Sequence, residues 1–450
     1  MTNRLRLVWR INLLMRVFIE TLGCLKNVND SQVFAGILET EGFEITEDVM
    51  SADIMIVNTC GFINDAKVES IDKILELARF TDKLLVVSGC LAKRYAYQLY
   101  DEMPEVDIFI GVNEYDKLPE ILRKAKKGER FVLTEEYTEE LETETRKLPE
   151  NTYSATIKIG EGCDNRCTYC AIPYIRGPYR SRPMELVIQE AKKLADNGVK
   201  ELILIAQDTA AYGKDLYGEY NLHVLLKKLC AIDGIKWIRI MYCYEDKITD
   251  ELIKTMAEEE KICHYIDIPI QHISDNVLKG MARRSTKQSI LETIKKLKTA
   301  MPDIAIRTTL ITGFPGETDD DFDQLYEFVE QTKFARLGAF AYSQEEGTPA
   351  ATMENQVDQE LKEARKDAIM REQMFISNEN NCNMIGKVYN VIIDELDEDE
   401  GVYLGRTQYD APEIDNQVIV KSDRKHKPGD FIKVEIYDAY DYDIVGKEID

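Results

Sequence analysis

Residues 160–173 read GEGCDNRCTYCAIP, and the interpretation of the whole chain turns on them. Cys163, Cys167 and Cys170 are three closely spaced thiols. Such a set can hold three corners of a [4Fe–4S] cube, because thiolate is the ligand these clusters use. No fourth cysteine or histidine stands nearby in the sequence, so one iron would lack a protein ligand and could bind and activate another molecule. The same thiols admit two other readings. Structural zinc takes four ligands in paired spacings, which Cys-x3-Cys-x2-Cys matches poorly. A disulfide framework needs an oxidising compartment.

The run TIKIG, residues 156–160, precedes this motif and reads as a buried strand. Further apolar strand candidates are 202–206, 237–241, 265–269, 306–311 and 337–342, with helical patterns between them, including 186–197 and 289–300. Six strand–helix units imply a partial or full (β/α) barrel, whose chemistry sits at the C-terminal strand ends. Polar groups stand at those ends: Gln207 with Asp208, Tyr242, Gln271 with His272, and the turn ITGFPGET at 311–318.

The N-terminal region has the same rhythm. RVFIET (16–21), IMIVN (54–58) and LLVVS (84–88) alternate with helical stretches at 30–41 and 65–78, a pattern that predicts a small doubly wound parallel sheet. Each strand runs into a cysteine: Cys24 in TLGCLKN, Cys60 in VNTCGF and Cys90 in VSGCLAK. Parallel strands end on one edge, so the three thiols should converge there, with Gly23, Gly61 and Gly89 permitting close approach. Buried cysteines are also common packing residues, but recurrence at three equivalent positions points to a second three-thiolate cluster with an open iron.

Residues 128–151, rich in Glu and Thr, read as a linker that begins with a short strand. A charged helix over 358–378 leads to short alternating strands and Pro-Gly or Asp-rich turns from 387 to 450, a small β-barrel. The expected division is a leader (1–14), a cluster-binding α/β domain (15–127), the linker (128–151), a (β/α) core (152–378) and the closing barrel (381–450).

The composition of the 450-residue chain, 44% hydrophobic and 31% charged, is that of a soluble globular protein, and no apolar run is long enough to span a bilayer. The leader carries Arg4, Arg6 and Arg10, but its apolar stretch is short and no small-residue cleavage site follows. Met15 is therefore read as the natural start and the cytoplasm as the location, where ten cysteines point to metal or redox chemistry. The net charge of −25 repels nucleic acid and attracts basic partners.

With both cysteine sets in place, the chain resembles the methylthiotransferases of the radical S-adenosylmethionine (SAM) superfamily. TLGCLKNVNDS, VNTCGFI, SGC, EGCDNRCTYCAIPYIRGPYRSR and TGFPGET carry the resemblance, as does Tyr169, the aromatic before the third cysteine. The resemblance implies an N-terminal cluster domain, a radical SAM core and a C-terminal TRAM barrel. It further implies two [4Fe–4S] clusters, with SAM on the open iron of the Cys163 set serving as radical source and methyl donor. The activity implied is insertion of sulfur into an unactivated C–H bond with methylation to –SCH3. Such a bond has neither a leaving group nor useful acidity, so a cofactor-borne radical must open it. The expected SAM contacts are Gln207, Gln271, Gly313 and Glu317, with Arg239 at the SAM carboxylate. Cys230, Cys243, Cys263 and Cys382 read as packing residues, Cys243 standing nearest a strand end.

Two substrates fit the family: a tRNA adenosine, and the β-carbon of an aspartate in small-subunit ribosomal protein S twelve. Residues 387–450 hold 8 basic and 17 acidic residues, a net of −9. RNA affinity rests on basic contacts to phosphate, so an acidic barrel suits a basic ribosomal protein better. The cluster Lys421, Arg424, Lys425 and Lys427 is the counter-indication. QDTAAYG (207–213), RIMYCY (239–244), YIDIPIQH (265–272) and GRTQYDAPEIDN (405–416) also resemble the protein-modifying branch. A rival of another class is a non-catalytic iron–sulfur redox protein, which would fill its ligand sets and need no barrel. Sulfur and electron donors are left unassigned.

Overall fold

The computed structural model describes residues 15–112, 114–134 and 145–449; the leader at 1–14 and residues 135–144 of the expected linker lie outside them. The chain divides into two compact units, one of residues up to 134 with 145–147, the other from 148 onward.

The first unit is a parallel sheet. Its strands are β1 (Arg16–Thr21), β2 (Glu44–Ile45), β3 (Ile54–Thr59), β4 (Leu84–Ser88), β5 (Ile108–Ile110) and β6 (Phe131–Leu133), in the order β2-β1-β3-β4-β5-β6. Alternation along each strand feeds two cores. Ile54, Ile56, Leu84 and Val86 pack on one face, while Met55, Val57, Leu85 and Val87 pack on the other. Burial on both faces is the reason these runs are apolar throughout, as doubly wound sheets require. The helices α1 (Leu25–Thr40), α2 (Asn64–Leu77) and α3 (Gly89–Glu102) follow β1, β3 and β4. The segment read as a linker opens with β6, hydrogen-bonded to β5.

In the second unit six parallel strands pair in chain order: β7 (Ser154–Lys158), β10 (Glu201–Ile205), β11 (Trp237–Ile240), β12 (Ile262–Gln271), β13 (Ala305–Thr312) and β14 (Arg336–Ala341). A two-strand ribbon, β8 (Gly160–Glu161) and β9 (Arg180–Ser181), brackets the cysteine loop. β7 and β14 are the edges of the sheet, so the barrel is partial. Leu202, Leu204, Ile238 and Ile240 join the core against the outer helices. The closing strands β15 (Val388–Asp397), β16 (Val402–Arg406), β17 (Val418–Lys421), β18 (Phe431–Ala439) and β19 (Ile444–Glu448) form a closed barrel.

The loop after β16 closes the N-terminal end of the six-stranded sheet. Glu201, the first residue of β10, pairs with Arg406 at 2.9 Å and with Arg239 at 2.9 Å, and all three side chains are buried. Arg239 also donates to the Gln408 carbonyl at 2.8 Å. Arg307 meets Asp415 at 3.3 Å and Asp267 at 3.0 Å. The Tyr265 hydroxyl donates to Asp415 at 2.7 Å, and Arg336 pairs with Asp410. This corrects the expectation for Arg239: its guanidinium is committed to Glu201 and the closing barrel, at the strand end opposite the cysteine loop. The GRTQYDAPEIDN run is the seal itself.

Burial pushes the Glu201 carboxyl up, but Arg406 and then Arg239 more than offset this and hold it at about 2. The folded value lies below the ordinary 4.5, so this stabilisation is complete above that pH and is lost as pH falls toward 2. Glu201→Gln leaves the buried Arg239 guanidinium without its carboxylate, Arg406 keeping Asp394 at 2.8 Å, and is expected to cost about 3–5 kcal/mol. Urea unfolding at neutral pH measures that loss, and the gap from wild type should narrow as pH drops below 4.5.

Candidate functional site

Two strand edges carry the cysteines, one in each unit. In the first unit β1, β3 and β4 are neighbours in the sheet, and their C-terminal ends lead into Cys24, Cys60 and Cys90. Asn27, in the first turn of α1, ties these ends together. Its Nδ2 donates to the Leu22 and Thr59 carbonyls at 2.8 and 3.1 Å, and its Oδ1 lies 3.9 Å from Cys90 Sγ. Ser70 of α2 clamps the backbone of Cys60, accepting from its N–H at 3.1 Å and donating to its carbonyl at 2.9 Å. A Cβ at Gly23 would lie 2.7 Å from that of Cys60. Exposure falls from Cys24 (exposed) through Cys60 to Cys90 (buried), so the thiols line an edge open on one side.

In the second unit the cysteine loop follows β8. The Cys163 N–H donates to the Gly177 carbonyl at 3.1 Å, and Thr168 is pinned between Met281 and Ala350 by backbone bonds of 3.1 and 2.9 Å. Each sulfur meets at least one hydrogen-bonding group. Asn165 Nδ2 lies 3.5 Å from Cys163 Sγ, the Ile172 N–H donates to Cys170 Sγ at 3.4 Å, and the Tyr244 hydroxyl lies 2.7 Å from Cys167 Sγ. Asn165 is itself held by Asp208 at 2.8 Å and by Lys247 at 2.6 Å. Burial pushes the Cys163 thiol up to about 11; a cluster takes the thiolate, so ligation here would be coupled to release of that proton.

Among the described residues no three His, Cys, Asp or Glu side chains close around a point that one metal ion could occupy. Thiols on a cube bind separate irons and need no common point. The sulfur-directed donors around the Cys163 set fit a thiolate-ligated cluster, whose sulfurs accept such bonds.

The remaining candidates divide sharply. Gln207 and Gln271 stand at the C-terminal ends of β10 and β12, each with an amide oxygen that is buried and lacks a protein partner. Gln207 Nε2 is held by Glu161 at 2.5 Å. Burial pushes the Glu161 carboxyl up, yet Lys158 and Arg176 outweigh this and bring it to about 2. Tyr242 and Gln271 hold φ of 59° and 70°, and such strained backbone gathers at ligand sites. His272 is fully buried, its Nδ1 accepting from the Ser274 N–H at 3.0 Å.

Glu317 corrects its expectation. Its carboxylate accepts from the Gly313 and Phe314 N–H groups at 2.8 and 3.3 Å and pairs with Arg365 at 2.8 Å. It therefore closes the ITGFPGET turn instead of reaching a ligand. Gly313 is also explained by packing, since a Cβ there would fall 2.2 Å from Lys362 Cγ. Cys243 lies in the core against the helices, with Cys230 buried, Cys263 buried near Arg239, and Cys382 exposed. No role was expected for Glu161, Asn165, Tyr244 or Lys247; Glu161 and Asn165 lie inside the GEGCDNRCTYCAIP motif and Tyr244 ends the RIMYCY run, whereas Lys247 carried no local signal.

Comparison with known proteins follows this geometry. The Radical SAM superfamily matches residues 157–329, the family described as Uncharacterized protein family UPF0004 matches 16–111, and the TRAM domain matches 385–449. Ribosomal protein uS12 methylthiotransferase RimO of Clostridioides difficile is 49% identical over 441 residues, covering 96% of this chain and 98% of that protein. The protein of the same name from Lachnoclostridium phytofermentans is 48% identical, covering 96% and 99%. Among solved structures, the radical SAM methyltransferase TsrM of Kitasatospora setae aligns with a TM-score of 0.56 at 14% identity, covering 75% of this chain and 74% of that one. That likeness concerns the fold alone. No helix of the described residues is long and apolar enough to cross a membrane.

Gly89 tests the first edge. It holds φ of +94°, and a Cβ would lie 2.4 Å from the Thr59 carbonyl oxygen. Gly89→Ala is expected to destabilise the first unit by about 1–3 kcal/mol, read as a lower thermal midpoint. An unchanged midpoint would show that the Cys60 and Cys90 loops can separate freely.

Proposed function

We infer the chemistry from one premise: the chain belongs to the RimO family of ribosomal protein uS12 methylthiotransferases. It adds a methylthio group to the β-carbon of an aspartate in that small-subunit ribosomal protein. The observation that carries this reading is the three-cysteine loop at the C-terminal edge of an open parallel barrel, in a chain 49% identical to a uS12 methylthiotransferase.

Membership in the radical SAM superfamily implies a [4Fe–4S] cluster and SAM. When bound, they supply a one-electron cleavage of SAM that yields a radical able to take hydrogen from an unactivated C–H bond. Cys163, Cys167 and Cys170 would hold this cluster, with Asn165, Tyr244 and the Ile172 N–H on their sulfurs. Of the expected SAM contacts, Gln207 and Gln271 are the two whose amide oxygens are buried without a protein partner and so stay available to meet SAM. Glu317 and Gly313 shape the turn after β13, while Arg239 belongs to the seal at the other end of the sheet. Cys24, Cys60 and Cys90 would hold a second cluster, which would supply the sulfur to be delivered, and the graded exposure of the three thiols supports access from one side.

Substrate choice rests on charge as well as kinship. The closing barrel carries a net of −9 over 387–450, which favours a basic protein. Part of its small basic cluster is already engaged: Arg424 meets Glu448 at 3.2 Å and Lys421 stands 5.7 Å over the Tyr437 ring. Both side chains stay at the surface, so it is the acidic excess of the barrel that disfavours tRNA as substrate.

Anaerobically reconstituted protein with SAM and a strong reductant is expected to form 5′-deoxyadenosine and to add a methylthio group to the ribosomal protein, detected by mass spectrometry. Label on tRNA alone would overturn the substrate assignment. Cys163→Ala should abolish SAM cleavage. Cys24→Ala should leave SAM cleavage measurable while abolishing methylthiolation; equal loss of both would contradict separate roles for the two cysteine sets.

A further inference from the structure

We propose that the Tyr244 hydroxyl sets the reduction potential of the cluster on Cys163, Cys167 and Cys170, with Arg283 as the residue that positions it. The proposal rests on the reading that these cysteines hold a [4Fe–4S] cluster. None of the ligand positions requires a tyrosine at 244, yet its hydroxyl lies 2.7 Å from Cys167 Sγ. A cysteine bound to iron is a thiolate and has no proton to give, so in the loaded protein the phenol is the donor. A donor to a cluster sulfur stabilises the more negative, reduced state over the oxidised one and raises the potential.

Arg283 fixes the ring that carries this hydroxyl. Its guanidinium lies 4.2 Å from the Tyr244 ring centroid, a cation–π distance. It donates to the Tyr169 hydroxyl at 3.4 Å and pairs with Glu245 at 2.9 Å. The Arg283 and Glu245 side chains are fully or nearly fully buried, at 0% and 2% exposed. Lys247 lies 5.1 Å from the same ring centroid. The phenol ring thus has two cations within cation–π reach and its oxygen on the ligand sulfur. A ring that merely filled space would need neither its hydroxyl nor that aim.

Tyr244→Phe removes the hydroxyl and keeps the ring for Arg283. The readout is a potentiometric titration, followed by EPR, of the cluster whose reduced signal changes when SAM is added. The midpoint is expected to move to a more negative value in Tyr244→Phe at unchanged iron and sulfide content. SAM cleavage should then slow with a weak reductant and recover with a strong one. A midpoint equal to that of wild type would overturn the proposal. If Tyr244→Phe lost its cluster, 3-fluorotyrosine placed at 244, whose hydroxyl is a stronger donor on the same ring, decides: a midpoint moved to a more positive value supports the hydrogen bond, and an unmoved midpoint sinks it. Absence of any SAM-responsive signal in wild type would instead remove the proposed function, so the two failures are distinct.

Discussion

Parallel strand pairing is the constraint on which the molecule depends. Strands that run the same way must all finish on the same edge, and the loops that leave them are brought together whatever their separation in sequence. Cys24, Cys60 and Cys90 are far apart along the chain, yet β1, β3 and β4 are adjacent and deliver them to one edge. The second unit applies the rule again, with the cysteine loop, Gln207, Tyr242 and Gln271 at the C-terminal ends of one sheet. Chemistry then requires only that the loop residues supply donors and thiols.

The opposite end of the second sheet has a different physical problem. An open barrel leaves an unfilled lower mouth, and here a loop from the closing barrel fills it with paired charges. Glu201 between Arg239 and Arg406, and Asp415 beside Arg307, are buried ions that persist because each meets its opposite. Buried pairs contribute less to net stability than to defining one arrangement. Their effect is to join the terminal barrel to the core in one register. That division, ligand groups at one end and structural charge at the other, follows the rule for barrels of this kind.

The architecture was legible in the sequence because both sheets are buried on two faces and their strands are apolar runs with a clear rhythm. The six cysteines stood out in the sequence because three share one tightly spaced loop and three recur at successive strand ends, patterns with few structural explanations. Arg239 and Glu317 misled for one reason. A charged residue near a strand or glycine turn looks the same in sequence whether it faces a ligand or a buried partner from another element. Arg239 meets Glu201, and Glu317 meets Arg365, 48 positions on. The pairing of Tyr244 was hidden in the same way although its motif, RIMYCY, stood out, since its partner Cys167 is 77 positions away.

Sequence alone therefore determined the class of chemistry, through thiols in a spacing that suits a cluster with an open iron and a strand pattern that puts them on an edge. Tertiary structure alone decided which polar residues serve that edge. It placed Asn165 and Tyr244 on the sulfurs, left the amide oxygens of Gln207 and Gln271 without protein partners, and turned Arg239 and the 405–416 run into a seal. The physical reason is range. Backbone periodicity and ligand spacing are local and can be read along the chain, whereas hydrogen bonds and ion pairs between side chains depend on contacts that only folding makes.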